Sequence, residues 1–247
     1  MTYLFSPKGI KFLKKICKNH QTLFAFDYDG TLAPYIPDLA GGKIKSDVAK
    51  NLSQLIKIRK VAVVSGRGVK GLKHMLGKIK PRYVVGNHGS EGVKIRGYFK
   101  AASKKLCKGW RLRISKEHIH GVVVEDKTFT LSLHYRNTRS SSKARLALLK
   151  VIDTLEPAPR VIFGKSVVNL LPRNAPNKGD GVRAVLDQSK LKKVLYFGDD
   201  LTDEDVFSLE DRRIYGVKVG RSASSKASYF IKRQTEINKV LIQLLNL

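Results

Sequence analysis

The sequence predicts an α/β protein, with a parallel-sheet core that carries a small inserted α+β domain. Three observations predict it. Short apolar runs alternate with helix-like amphipathic segments, as in βαβ units. Several of those runs stop at Asp, Ser or Gly, at the strand ends where open parallel sheets keep their sites. From about 96 to 173 the rhythm changes to the period-two alternation of antiparallel hairpins.

The elements follow in order. A first strand covers 23–26 and stops at Asp27, with Asp29 and Gly30 in the turn beyond it. A helix begins at Ser46, read as its N-cap, with Val48, Leu52, Leu55 and Ile56 on one face. The strand at 60–64 runs into Ser65-Gly66-Arg67. A short helix marked by Val69, Leu72 and Leu76 leads to a strand at 83–85 and to the loop GNHGSEG. In the insert, 121–125 and 129–135 form the arms of a hairpin. Phe129, Leu131, Leu133 and Tyr135 face one way; Thr130, Ser132, His134 and Arg136 face the other. A helix at 141–155 and a hairpin through 161–163 and 167–171 complete it. Lys178 then precedes a helix, a strand at 194–197 ends at GDD, another strand covers 214–219, and a helix at 236–245 closes the chain. The expected domains are a core of 1–95 and 174–247 and an insert of 96–173.

Composition narrows the class. The 247 residues suffice for a core plus an insert. No apolar run is long enough to span a bilayer, and the N-terminus lacks a secretory signal. The expectation is a cytoplasmic monomer with no membrane partner. Cys17 and Cys107 lie far apart, in no metal-type spacing, and read as reduced thiols. The formal charge of +28 is spread along the whole chain, which leaves three readings open: a solvated surface, attraction for an anionic substrate, or salt-sensitive nucleic-acid binding. No zinc-finger, helix-turn-helix or RNA-recognition signature is present, so no specific nucleic-acid partner is expected.

The chemistry concentrates at FAFDYDGTL, residues 24–32. Asp27 and Asp29 leave an otherwise apolar strand, and their mutual repulsion calls for a cation or a functional reason. The spacing suits an aspartate nucleophile and an aspartate general acid/base over Mg²⁺. Ser65, Lys178 and the trio Asp199, Asp200 and Asp203 fall at other strand ends or helix starts. Singly, Ser65 reads as a turn residue, Lys178 as a surface lysine, Asp29 as an Asx-turn and GDD as a turn. Their joint order and spacing are far more specific.

DYDGTL, VVSGR, a lysine before a helix and GDDLTDED together resemble the four motifs of the haloacid dehalogenase superfamily, in its phosphatase branch. GNHGSEG at 86–92, VEDK at 124–127 and HYR at 134–136 narrow the resemblance to trehalose-6-phosphate phosphatases. This resemblance implies a Rossmann-like core, a mobile cap formed by the insert, and Mg²⁺-dependent hydrolysis of a small phosphorylated sugar. It implies that Asp27 is the nucleophile and Asp29 the acid/base. Mg²⁺ would be held by Asp27, the backbone carbonyl of Asp29 and Asp199, with Asp200 and Asp203 ordering its waters or second shell. Lys178, Ser65 and the Gly66 amide would hold the phosphoryl oxygens. Arg67 fits either a substrate contact or an ion pair with an acid. Asn87 and His88 would border the substrate cavity. Glu125, Lys127 and Arg136 match sugar-contacting cap residues, although the first two also fit an ion-paired hairpin. One segment departs from the family. In KSVVNLLP, Asn169 stands where a glutamate is usual and Leu171 where an arginine is usual. That keeps other phosphorylated sugars open as substrates, such as glucosyl- or mannosyl-glycerate phosphate and sucrose phosphate. A basic polyanion-binding protein without turnover is the more distant alternative.

Overall fold

Strands buried along their whole length need cover on both faces, and Thr22–Asp27 and Val61–Val64 within the main sheet are such strands. The computed structural model describes residues 1–36, 42–93 and 97–247. They form two units, Met1–Val93 with Pro176–Leu247, and Lys94–Ala175. The chain enters the first unit through β1 (Thr2–Tyr3), α1 (Pro7–Cys17), β2 (Thr22–Asp27), α2 (Ser46–Ile58), β3 (Val61–Val64), α3 (Val69–Leu76) and β4 (Tyr83–Val85). The second unit contains α4 (Gly97–Ser115), β5 (Val123–Asp126), β6 (Leu131–His134), α5 (Ser141–Ile152), β7 (Arg160–Gly164) and β8 (Val167–Leu171). The chain then returns with α6 (Lys178–Ser189), β9 (Lys193–Gly198), α7 (Glu204–Phe207), β10 (Ile214–Val219), β11 (Tyr229–Ile231) and α8 (Ile237–Leu245).

The seven strands of the first unit are ordered β1-β11-β10-β9-β2-β3-β4, all parallel. β2 and β9 are neighbours, and connections run outward from them in opposite directions. That is the switch point at which open α/β sheets bind ligands beyond the strand ends. Phe24 and Phe26 of β2, Leu195 and Phe197 of β9, and Val61 and Val63 of β3 pack with Leu13 and Ile16 of α1, Leu52 and Leu55 of α2, and Val240, Leu241 and Leu244 of α8. The helix α6 buries Val182, Val185 and Leu186.

The second unit has a four-stranded antiparallel sheet, β5-β6-β8-β7. Leu131 and Leu133 of β6 and Val168 and Leu170 of β8 join Cys107, Trp110 and Ile114 of α4 and Leu148, Val151 and Ile152 of α5 in its core. Thr130 and Ser132, on the polar side of the alternation, are buried as well.

Some elements differ from the sequence expectation. Ser46 is the first residue of α2, not its cap. Lys45 holds the cap position without a side-chain bond, and the Asp47 carboxylate in the first turn accepts from the Val48 amide at 2.8 Å. The strands β1 and β11 and the helix α1 lie outside the elements read from sequence. The expected boundary at 95/96 falls within 94–96, outside the described residues; the second unit gives way to the first at 175/176.

Candidate active site

Asp27 is the last residue of β2, and Asp199 follows the last residue of β9. Because these strands are adjacent and parallel, both carboxylates reach the same end of the sheet. Asp203 joins them from a turn that fixes its direction. Its Oδ2 accepts from the Asp200 amide at 2.8 Å, while Asp200 Oδ1 accepts from the Leu201 amide at 2.7 Å. Oxygen atoms of Asp27, Asp199 and Asp203 lie within 4.8 Å of one another. Lys178 enters from the first position of α6, where a reciprocal cap between Asn177 and Asp180 fixes the helix start. Its Nζ donates to Asp27 Oδ1 at 2.8 Å and to Asp203 Oδ1 at 2.7 Å. The Tyr196 hydroxyl donates to the same Asp203 oxygen at 2.6 Å.

Three carboxylates, Asp27 and Asp203 buried and Asp199 half-buried, share the one Lys178 ammonium, which leaves a formal deficit of two positive charges. Burial raises the Asp27 carboxyl well above its usual range; Lys178 opposes this, and Asp203 and Asp199 add to it. Asp199 is pushed up to about 7 by burial and then by Asp203. Burial disfavours the Lys178 ammonium, but Asp203 and Asp27 outweigh it and hold its pKa above the ordinary lysine value. An all-oxygen donor set with this charge fits a hard divalent cation. Gly30 keeps the site open. It has φ +85°, and a Cβ there would lie 2.1 Å from Asp199 Oδ2. The Thr31 hydroxyl donates to Asp199 Oδ1 at 3.3 Å.

Asp29 lies beside this cluster. Arg67 grips it with two bonds, Nε to Oδ2 at 2.7 Å and Nη2 to Oδ1 at 2.8 Å. Arg67 is thus ion-paired with Asp29. The Ser65 hydroxyl accepts from the Arg67 amide at 3.1 Å and is buried. Gly66 lies under the His88 ring, which a Cβ would meet at 2.5 Å. Asn87 sits in the loop after β4. It is fully buried, and its Nδ2 donates to Glu91 Oε2 at 2.8 Å. It braces the loop. Asp200 is exposed and caps the turn beside the acid cluster.

The family model for trehalose-phosphatase matches residues 25–234, most of the chain and all of these residues. The chain belongs to the trehalose-phosphatase family. A bifunctional trehalose-6-phosphate synthase/phosphatase of Thermoproteus tenax is 31% identical over 223 residues, which cover 85% of this chain and 30% of that protein. A trehalose-phosphate phosphatase of Mycolicibacterium paratuberculosis is 32% identical over 200 residues, 76% of this chain and 51% of its own length. The chain thus spans about a third of the first relative and about half of the second. The C-terminal domain of the Candida albicans trehalose-6-phosphate phosphatase superposes with a TM-score of 0.72 at 24% identity, covering 96% of this chain and 97% of that one, and so shares its fold. Membership of the trehalose-phosphatase family, together with the acid triad, implies a divalent metal.

The trehalose-phosphatase motifs of the second unit lie on one side of its sheet. Glu125 faces Ser132, and Ser132 faces Asn169. Glu125 Oε2 is 3.0 Å from His134 Nε2 and 3.7 Å from Lys127 Nζ, the ion-paired hairpin that the sequence allowed. The Ser132 hydroxyl donates to Asn169 Oδ1 at 2.6 Å, and Asn169 Nδ2 donates to the Ile162 carbonyl at 3.3 Å. Arg136 donates to the Lys165 carbonyl at 3.0 Å. Sequence reasoning missed Tyr196, Glu91 and Lys218. Tyr196 and Lys218 are polar-tipped residues inside buried strands, and that oddity was the available signal. Among the described residues, no helix is long and apolar enough to cross a membrane.

Proposed function

We propose that this chain hydrolyses trehalose 6-phosphate to trehalose and inorganic phosphate through an aspartyl-phosphate on Asp27. The observation that carries the reading is the meeting of Asp27, Asp199, Asp203 and Lys178 at the switch point of a sheet matched by the trehalose-phosphatase family. A carboxylate oxygen of Asp27 attacks phosphorus and the ester P–O bond breaks. Asp29 gives a proton to the leaving sugar oxygen, then takes one from the water that hydrolyses the acyl phosphate. Both Asp29 oxygens accept from Arg67, one bond each, which leaves each oxygen a further lone pair for the proton. Lys178 orients Asp27 through Oδ1 and, with the Ser65 hydroxyl and the Gly66 amide, holds the phosphoryl oxygens. The divalent ion, Mg²⁺ in this reading, would be held by Asp27, Asp199 and the Asp29 carbonyl near Asp203; when bound it offsets the repulsion between carboxylate and phosphate. The unit Lys94–Ala175 serves as the cap, with Glu125, Lys127, Arg136 and Asn169 recognising sugar hydroxyls. The buried free thiols of Cys17 and Cys107 support a reducing, cytoplasmic setting.

The test is phosphate release from trehalose 6-phosphate, sucrose 6-phosphate and the glucosyl- and mannosyl-glycerate phosphates, with and without Mg²⁺. We expect trehalose 6-phosphate to be preferred, activity to need the ion, and Asp27→Asn to lose on the order of 10³-fold or more in kcat. A clear preference for another sugar phosphate would overturn the substrate, and an active Asp27→Asn would overturn the nucleophile. The neutral Asn169, already engaged by Ser132, is the feature that favours a different sugar.

A further inference from the structure

Lys218 is the one charged residue in β10, and it is only 7% exposed. Burying an ammonium is costly unless its donors are used. Here they are used on the turn that carries the acid cluster. Nζ donates to the backbone carbonyls of Asp199 at 2.6 Å and Asp200 at 3.2 Å, and it lies 3.7 Å from Glu204 Oε1. Its backbone is in register with Gly198, the residue before Asp199. The lysine therefore grips the main chain of Asp199 from below while the carboxylate of the same residue faces Asp27 and Asp203. Gly30 leaves room for that carboxylate.

We infer that Lys218 is a positioning residue for the divalent-ion site. It anchors the two carbonyls of the Asp199–Asp200 turn, so that the Asp199 carboxylate is aimed before the ion arrives. The inference rests on the reading of Asp27, Asp199 and Asp203 as that site. Two effects of Lys218 have opposite signs, which makes the inference testable. As a positive charge it repels a cation, and its loss would tighten binding. As an anchor it fixes a ligand, and its loss would weaken binding; outer-shell partners of this kind change metal affinity by about 10–100-fold.

The experiment is a Mn²⁺ titration of the full chain, read as free Mn²⁺ by electron paramagnetic resonance. It compares the wild type with Lys218→Met, whose fold is checked by circular dichroism. The expected result is a Kd for Mn²⁺ raised about 10–100-fold in Lys218→Met. Unchanged or tighter binding overturns the anchor. Should Lys218→Met not fold, Lys218→Arg replaces it: it keeps the charge but displaces the donors, so weaker binding supports the anchor and equal binding overturns it. A wild type that binds no Mn²⁺ removes the site reading itself, and the anchor falls with it. A wild type that binds alongside an equally tight variant removes the anchor and leaves the site standing.

Discussion

Gly30 matters through the side chain it lacks. Its backbone is left-handed, and the space where a Cβ would be is filled by the Asp199 carboxylate. Gly30→Ala should therefore cost about 1–3 kcal/mol in stability and also weaken divalent-ion binding. Denaturant unfolding with and without Mg²⁺ measures both; a variant unchanged in each would mean that the turn yields. At this scale the sequence was most legible where residues stand in motifs. Asp27, Lys178, Asp199 and Asp203 were readable because each closes a strand or opens a helix within a recurring order. Lys218 and Tyr196 were not, because a single polar residue within a strand has no spacing to mark it. Nor could loop position reveal that Asn87 is buried, since its hold on Glu91 depends on how the loop folds back.

Among the elements, α3 shows how a loop and a helix share one support. Glu91 Oε2 accepts from the Val69 amide, at the start of α3, and from Asn87 Nδ2, both at 2.8 Å. A carboxylate there satisfies an otherwise open helix donor and favours the positive end of the helix. Glu91→Ala should destabilise the chain by about 1–2 kcal/mol and loosen His88 over Gly66. Urea unfolding gives the first; faster amide exchange at Val69 and Asn87 reports the second. Wild-type protection at both amides would show that the cap is not formed in solution. Strands such as β4 and β10 were legible because their apolar runs are bounded by turn residues. The strands β1 and β11 are two and three residues long, too short to carry a period. For α1, Ser6 and Pro7 are a readable start signal, since the Ser6 hydroxyl accepts from the Gly9 amide, but its lysine-rich face obscured the apolar stripe of Leu13 and Ile16.

The whole molecule carries a stability term at alkaline pH. Burial raises the Cys17 thiol from 9.0 to about 11, with Arg59 opposing. The unfolded chain thus releases this proton first. The associated stability is fully present below about 9 and is lost as pH rises through about 11. The wild type should lose up to about 2–3 kcal/mol over that window relative to Cys17→Ala, which lacks the thiol. Parallel pH profiles for the two proteins would rule this out.

The pairing of β1 with β11 has a consequence for how the protein is made. Thr2 and Tyr3 find their partners at Tyr229 and Phe230, and the Tyr3 hydroxyl donates to Glu236 at 2.8 Å. On the ribosome this segment emerges long before anything it can dock on. It must wait, unzipped, until Tyr229 and Phe230 have been released, and such distant closures come late and slowly. This edge of the sheet is then a seam stitched late in a newborn chain.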